Sequence, residues 1–171
     1  MESILQNHPD PNLIYQQTLP TFRTALHVAT LAGHVKIVEE LVKLMTEESL
    51  GMQDCFGNTA LFYAAIVGIT KMAEIMINKN KRLITIANGE GYLPIVQACI
   101  LNHKDMTHYL YRVILESKHD LASQEYSRHG SLLLQYSIES QMFESLPASD
   151  EIQSQNGQKN TMLQGTRFIC S

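Results

Sequence analysis

The phrase Thr24-Ala25-Leu26-His27-Val28-Ala29 returns as Thr59-Ala60-Leu61-Phe62-Tyr63-Ala64, and more loosely as Leu93-Pro94-Ile95-Val96-Gln97-Ala98. The closing alanines Ala29, Ala64 and Ala98 stand 35 and then 34 residues apart. Self-similarity at such a period marks stacked helix pairs, each burying its apolar face only against its neighbours. The expected fold is therefore all-α, a solenoid of helix-turn-helix units.

Working outward, Thr24 and Thr59 each stand where a side-chain oxygen satisfies a first-turn N–H, so each opens a helix. Alanines and Leu26, Leu61 and Ile95 follow, small where helices must approach and large where a core must be filled. Turns are expected at Gly33-His34, Gly68-Ile69 and Asn102-His103, because Gly and Asn tolerate the left-handed conformation that ends helices. A second helix then carries an apolar set at Ile37, Leu41 and Val42, at Met72, Met76 and Ile77, and at Met106, Leu110 and Tyr111, all at one-face spacing. Between units, Asp54-Cys55-Phe56-Gly57 and Asn88-Gly89-Glu90-Gly91 read as turns, with Gly57 and Gly91 at the strained position.

From Thr24 to His34 and from Asp54 to Leu61 the wording resembles the ankyrin consensus, and the resemblance extends over residues 19–116. The phrases Phe62-Tyr63-Ala64-Ala65 and Leu93-Pro94-Ile95-Val96-Gln97-Ala98 are similar to plant ankyrin proteins whose longer members end in a membrane domain with a Pro-Gly-Gly motif, a motif this chain lacks. The resemblance implies β-turn fingers between helix pairs and a non-enzymatic protein–protein interaction scaffold, in plant stress or defence signalling. It also implies a Thr24–His27 hydrogen-bonded pair, which the second and third units lack because Phe62 and Val96 replace the histidine. Departures are visible too. Phe22 and Leu19 stand where the first finger's glycine and aspartate belong, so that finger is expected to be degraded or replaced, and Leu93 replaces the capping threonine.

The expected organisation is an irregular N-terminal segment or remnant of a preceding repeat over 1–18, then three repeats over 19–116 (about 19–53, 54–87 and 88–116). A partial, degenerate fourth repeat follows over 117–146, where Gly130-Ser131-Leu132-Leu133 echoes the third unit before Leu146-Pro147 interrupts. Residues 147–171, rich in Ser, Gln, Asn and Gly, have too little apolar surface to offset the entropy of ordering and are expected to form a disordered tail.

Composition narrows the function. The 171 residues carry a net charge of −4 with 13 Lys and Arg scattered along the chain, which is not the footprint of a nucleic-acid binder. The short Lys79-Asn80-Lys81-Arg82 run reads as a solvated loop. Three cysteines without metal-like spacing fit a reducing compartment, and no stretch is apolar enough to span a bilayer, so a cytoplasmic location is expected, with membrane association only through a partner. His103 and His108 are five apart, wrong for two ligands on one helical face. No His-Glu-x-x-His, Cys-x-x-Cys or phosphate loop occurs, so no catalytic residue, metal or cofactor is expected.

The informative surface is the concave one. The expected partner-binding residues are Phe56 and Asn58 on one finger, Glu90 and Tyr92 on the next, and Ile66, Val67, Ile100 and Leu101 on the inner helices, an unusually apolar stripe. Thr24, His27, Gly33, Gly57, Thr59, Gly68 and Gly91 are expected to be structural. An alternative reading makes the chain a truncated or alternatively spliced fragment of a longer membrane-tethered relative, with no independent role or only a competing one.

Overall fold

Among the described residues three short inner helices alternate with three longer outer ones: α1 (Ala25–Leu31), α2 (Val35–Leu44), α3 (Ala60–Val67), α4 (Thr70–Lys79), α5 (Pro94–Ile100) and α6 (Lys104–Glu116). The computed structural model describes residues 16–18 and 20–117. The expected fourth unit beyond Ser117, the expected tail over 147–171, residues 1–15 and Leu19 lie outside the described residues. Among the described residues there is no strand, only an isolated bridge between Thr18 and Arg23.

Local chemistry starts each inner helix differently. Thr59 accepts a hydrogen bond from the Phe62 amide at 3.2 Å. Thr24 forms a box with His27, whose Nδ1 accepts from the Thr24 amide at 3.1 Å and lies 2.7 Å from the Thr24 hydroxyl. Leu93 has no side chain able to cap, and Pro94 takes the first helical position, where a missing N–H costs nothing. The inner helices end in left-handed residues, Gly33 (φ 74°), Gly68 (φ 77°) and Asn102 (φ 58°).

The core runs between helix pairs. Inner helix α3 packs on both α1 and α5, and outer helix α4 on both α2 and α6. Leu61, Met72, Met76, Ile95 and Met106 are essentially inaccessible, and burying each such side chain contributes about 1.5–3 kcal/mol. On α2 the buried set is Val38, Leu41 and Val42, with Ile37 only half-buried. Two 3₁₀ turns, Ser49–Gly51 and Lys81–Thr85, anchor the links between units through Leu50, Leu83 and Ile84.

The Lys79-to-Arg82 run is not simply a solvated loop. Lys79 belongs to the last turn of α4, and its ammonium donates to the carbonyls of Val42 and Lys43 at the end of α2. Asn80 donates to the Glu47 carbonyl at 2.7 Å. Lys79 thus serves carbonyls that the first unit's outer helix leaves unsatisfied, where a cation also favours the helix dipole, and Asn80 ties down the link that follows it. Lys81 and Arg82 are exposed, as a loop requires.

Candidate protein-binding face

The fingers are built from backbone closure reinforced by one acidic or amide side chain. In the second finger the Asp54 amide donates to the Asn58 carbonyl at 3.0 Å, and Asp54 Oδ1 accepts from the amides of Phe56 and Asn58 at 2.9 and 3.0 Å. Asn88 repeats the pattern in the third, accepting from Glu90 and Tyr92 at 3.1 and 2.8 Å. The first finger is replaced by a variant closure rather than lost. Thr18 closes it against Arg23, with the Thr18 amide 2.8 Å from the Arg23 carbonyl, over a span one residue longer than Asp54 to Asn58. Phe22 adopts φ 54° where Gly57 has φ 73° and Gly91 φ 81°. An aromatic residue in that conformation costs about 1–2 kcal/mol, which the surrounding closure sustains.

Adjacent fingers are joined in a row. The Cys55 amide donates to the Thr21 carbonyl and the Gly89 amide to the Phe56 carbonyl, each at 3.0 Å. These bonds set the register: Thr21, Phe56 and Glu90 are the tips, while Arg23, Asn58 and Tyr92 share the base position.

In that register Phe56 and Tyr92, both expected on the binding face, are not equivalent. Phe56 is at a tip and 57% exposed. Tyr92 is half-buried at a base. Asn58 is buried, not presented to a partner. Its carbonyl faces His27 Nε2 at 3.1 Å and its Nδ2 donates to the Tyr63 hydroxyl at 3.3 Å. Glu90 is exposed. On the inner helices Ile100 and Leu101 are 36% and 41% exposed, while Ile66 and Val67 are half-buried. The apolar stripe therefore reaches solvent mainly at Phe56, Ile100 and Leu101.

Among the residues expected to be structural, Gly57 approaches the third finger so closely that a Cβ there would lie 2.4 Å from the Gly89 amide nitrogen. Gly68 lies under the His103 ring, whose Nε2 faces the Ile66 carbonyl at 3.0 Å. Gly33 and Gly91 take positive φ, and Thr24, His27 and Thr59 are buried at the helix starts.

A polar cluster that the sequence did not foretell joins the first two units. The Tyr63 hydroxyl donates to Asp54 Oδ2 at 2.5 Å and accepts from Arg23 Nη2 at 2.8 Å. Arg23 Nε lies 3.4 Å from the same carboxylate, and the guanidinium is 5.1 Å from the Tyr63 ring centroid. Burial alone raises the Asp54 pKa, but hydrogen bonds from Tyr63, the Asn58 and Phe56 amides and Arg23 outweigh it, holding the carboxyl below its ordinary range. Burial raises the Tyr63 pKa, reinforced by the bond to Asp54. Because an amide can only donate, Nδ1 of His27 carries no proton and Nε2–H is the donor to Asn58. Burial keeps this imidazole neutral, lowering its pKa despite the favourable Asn58 bond. Arg23, Asp54 and Tyr63 bond one another, and His27 spends its two ring nitrogens on Thr24 and the Asn58 carbonyl, which makes the cluster an inter-unit joint. No group of three or more potential metal-ligating side chains occurs among the described residues.

The sequence profile for ankyrin repeats (three copies) matches residues 1–86 and 26–124. The chain is 34% identical over 128 residues to protein ACCELERATED CELL DEATH 6 of Arabidopsis thaliana, covering 67% of this chain and 19% of that protein. It is 28% identical over 95 residues to the nuclear factor NF-kappa-B p105 subunit of Gallus gallus, covering 53% and 10%. The chain thus spans a fifth or less of these relatives. Among solved structures, a chain in the crystal structure of the yeast ribosomal protein Rps3 with its chaperone Yar1 superposes with a TM-score of 0.59 at 20% identity, covering 65% of this chain and 80% of that one. Phased helix pairs, a row of hydrogen-bonded fingers and the profile match agree: this chain belongs to the ankyrin-repeat family.

Proposed function

We propose that the chain is a non-enzymatic protein-interaction scaffold that engages its partner through the finger tips and exposed inner-helix residues. The carrying observation is that Phe56, Ile100 and Leu101 stay solvent-exposed in an array whose other large apolar side chains are mostly buried. Exposed aromatic and aliphatic residues of this kind mark interaction surfaces, and aromatics tend to dominate the energy of such an interface. The lining is apolar with the carboxylate of Glu90 beside it, and the net charge is −4, which favours a protein segment over nucleic acid.

A link to stress or defence signalling rests on the name of the Arabidopsis relative, of which the chain spans 19%. A cytoplasmic site of action rests on the three cysteines without metal-like spacing, which fit a reducing compartment. No helix among the described residues is long and apolar enough to cross a membrane.

Interaction mapping tests the reading. Phe56→Ala combined with Leu101→Ser should weaken a partner recovered with the wild-type chain by about 2 kcal/mol or more while leaving the helical circular dichroism intact. Wild-type affinity in that folded variant would remove the proposed face.

A further inference from the structure

Two neighbouring finger tips carry different chemistry. Phe56 offers an exposed aromatic ring and Glu90 an exposed carboxylate, and the bond from the Gly89 amide to the Phe56 carbonyl holds the two tips side by side. Both are fixed in place. Asn88 Oδ1 accepts from the Glu90 amide at 3.1 Å, while Gly57, next to Phe56, approaches Gly89 too closely for any side chain to fit between them. Groups held in this way lose little freedom when a ligand arrives.

Glu90 is also a carboxylate without a cation. On the outer helices Glu39 and Glu40 pair with Lys43, and Glu74 pairs with Lys71 at 3.0 Å. Among the described residues no ion pair involves Glu90. Arg23, the cation at a finger base, is already spent on Asp54 and Tyr63. The other exposed members of the proposed face, Ile100 and Leu101, are apolar, so the charge this face shows to a partner is negative.

A carboxylate beside an aromatic ring suits one side chain above others. The arginine guanidinium is planar, stacks on aromatic faces and offers paired N–H donors to carboxylate oxygens, whereas a lysine ammonium is a strongly hydrated point charge. A purely apolar side chain would cover the ring and strip water from the carboxylate with no bond in exchange, which is costly. The chain uses the favoured combination internally: the Arg23 guanidinium lies 5.1 Å from the Tyr63 ring centroid, with its Nε 3.4 Å from Asp54.

We infer that the partner presents an arginine to Phe56 and Glu90, in a segment whose adjacent large apolar side chain covers Ile100 and Leu101. The inference deepens the proposed function and rests on it. An exposed ion pair adds little net affinity in water, so the carboxylate selects which segment binds while the apolar contacts supply most of the strength.

The test uses a random peptide library displayed on phage and selected against the wild-type chain, with the enriched peptides then synthesised and titrated by fluorescence anisotropy. The expected peptides carry an arginine beside a large apolar residue. Replacing that arginine by alanine should weaken binding to the wild type about tenfold, and to Glu90→Gln by only about two- to threefold. Replacing it by lysine should also weaken binding to the wild type, because stacking and the paired donors are lost. A selection that enriches nothing, enriched peptides without arginine, or an arginine loss equal in wild type and Glu90→Gln would overturn the inference; the latter two leave the face itself in place. Peptides that bind the Phe56→Ala, Leu101→Ser chain as tightly as the wild type would remove the face, and the inference with it.

Discussion

His27 Nε2 lies 3.1 Å from the Asn58 carbonyl oxygen, so a helix of one unit holds the finger of the next through a single neutral imidazole. The groups facing that ring are Arg23, Asp54 and Tyr63, with the Tyr63 ring edge-on at 5.9 Å between centroids. Because the folded-state pKa is depressed, the unfolded chain binds a proton more readily. Stability from this source is complete above the ordinary histidine value of 6.5 and falls as pH drops below it. Asp54, also depressed, adds a further loss only below its ordinary 3.8. His27→Gln should cost about 1–3 kcal/mol at neutral pH through the broken joint and flatten the stability profile between about pH 7 and 5. Urea midpoints measured across that range check it; a variant with the wild-type slope would mean that His27 does not carry it.

Thr59→Ala removes the oxygen that receives the Phe62 amide at the start of α3. The expected loss is about 0.5–2 kcal/mol. Leu93 holds the same position in the third unit but is fully buried and cannot cap, so the informative control is Thr59→Ser, which keeps the accepting oxygen. Thermal unfolding should place Thr59→Ala below the wild type and Thr59→Ser close to it, and equal losses would argue against the capping account.

Gly68 and Gly33 both need a positive φ, but only Gly68 is crowded. A Cβ at Gly68 would come within 2.5 Å of the His103 ring, whereas one at Gly33 would meet Ile69 at an ordinary 3.5 Å. Gly33→Ala should cost about 1–2 kcal/mol from backbone conformation alone, and Gly68→Ala more, because His103 must leave the Ile66 carbonyl. His103→Ala in the Gly68→Ala background should recover part of the excess. Additive losses in that double-mutant cycle would contradict the packing.

Much of this was legible in the sequence because it is local. Thr59, the Thr24–His27 pair, the turn glycines and the apolar spacing on the outer helices each follow from residues within a few positions of one another. What was not legible crosses units. The Arg23–Asp54–Tyr63 cluster draws on residues up to 40 apart, and Lys79 reaches carbonyls 36 and 37 residues away. The form of the first finger is not legible because its closure from Thr18 to Arg23 holds one residue more than Asp54 to Asn58, and a residue count assumes none. Phe56 and Tyr92 look alike in the sequence as finger aromatics, yet the repeat offset matches Phe56 with Glu90 and leaves Tyr92 at a base. Asn58 seemed exposed because finger positions usually are, whereas its carbonyl and side chain turn inward to His27 and Tyr63.

Site-specific photo-crosslinking tests the proposed partner-binding face most directly. A photoreactive phenylalanine analogue is placed at Phe56, at Leu101 or at the exposed outer-helix position Glu39 of the intact chain, and crosslinked proteins from the source cells are identified by mass spectrometry. The account predicts the same protein partner crosslinked from positions 56 and 101 and not from 39. Crosslinking of that partner from position 39, with positions 56 and 101 silent, would contradict it.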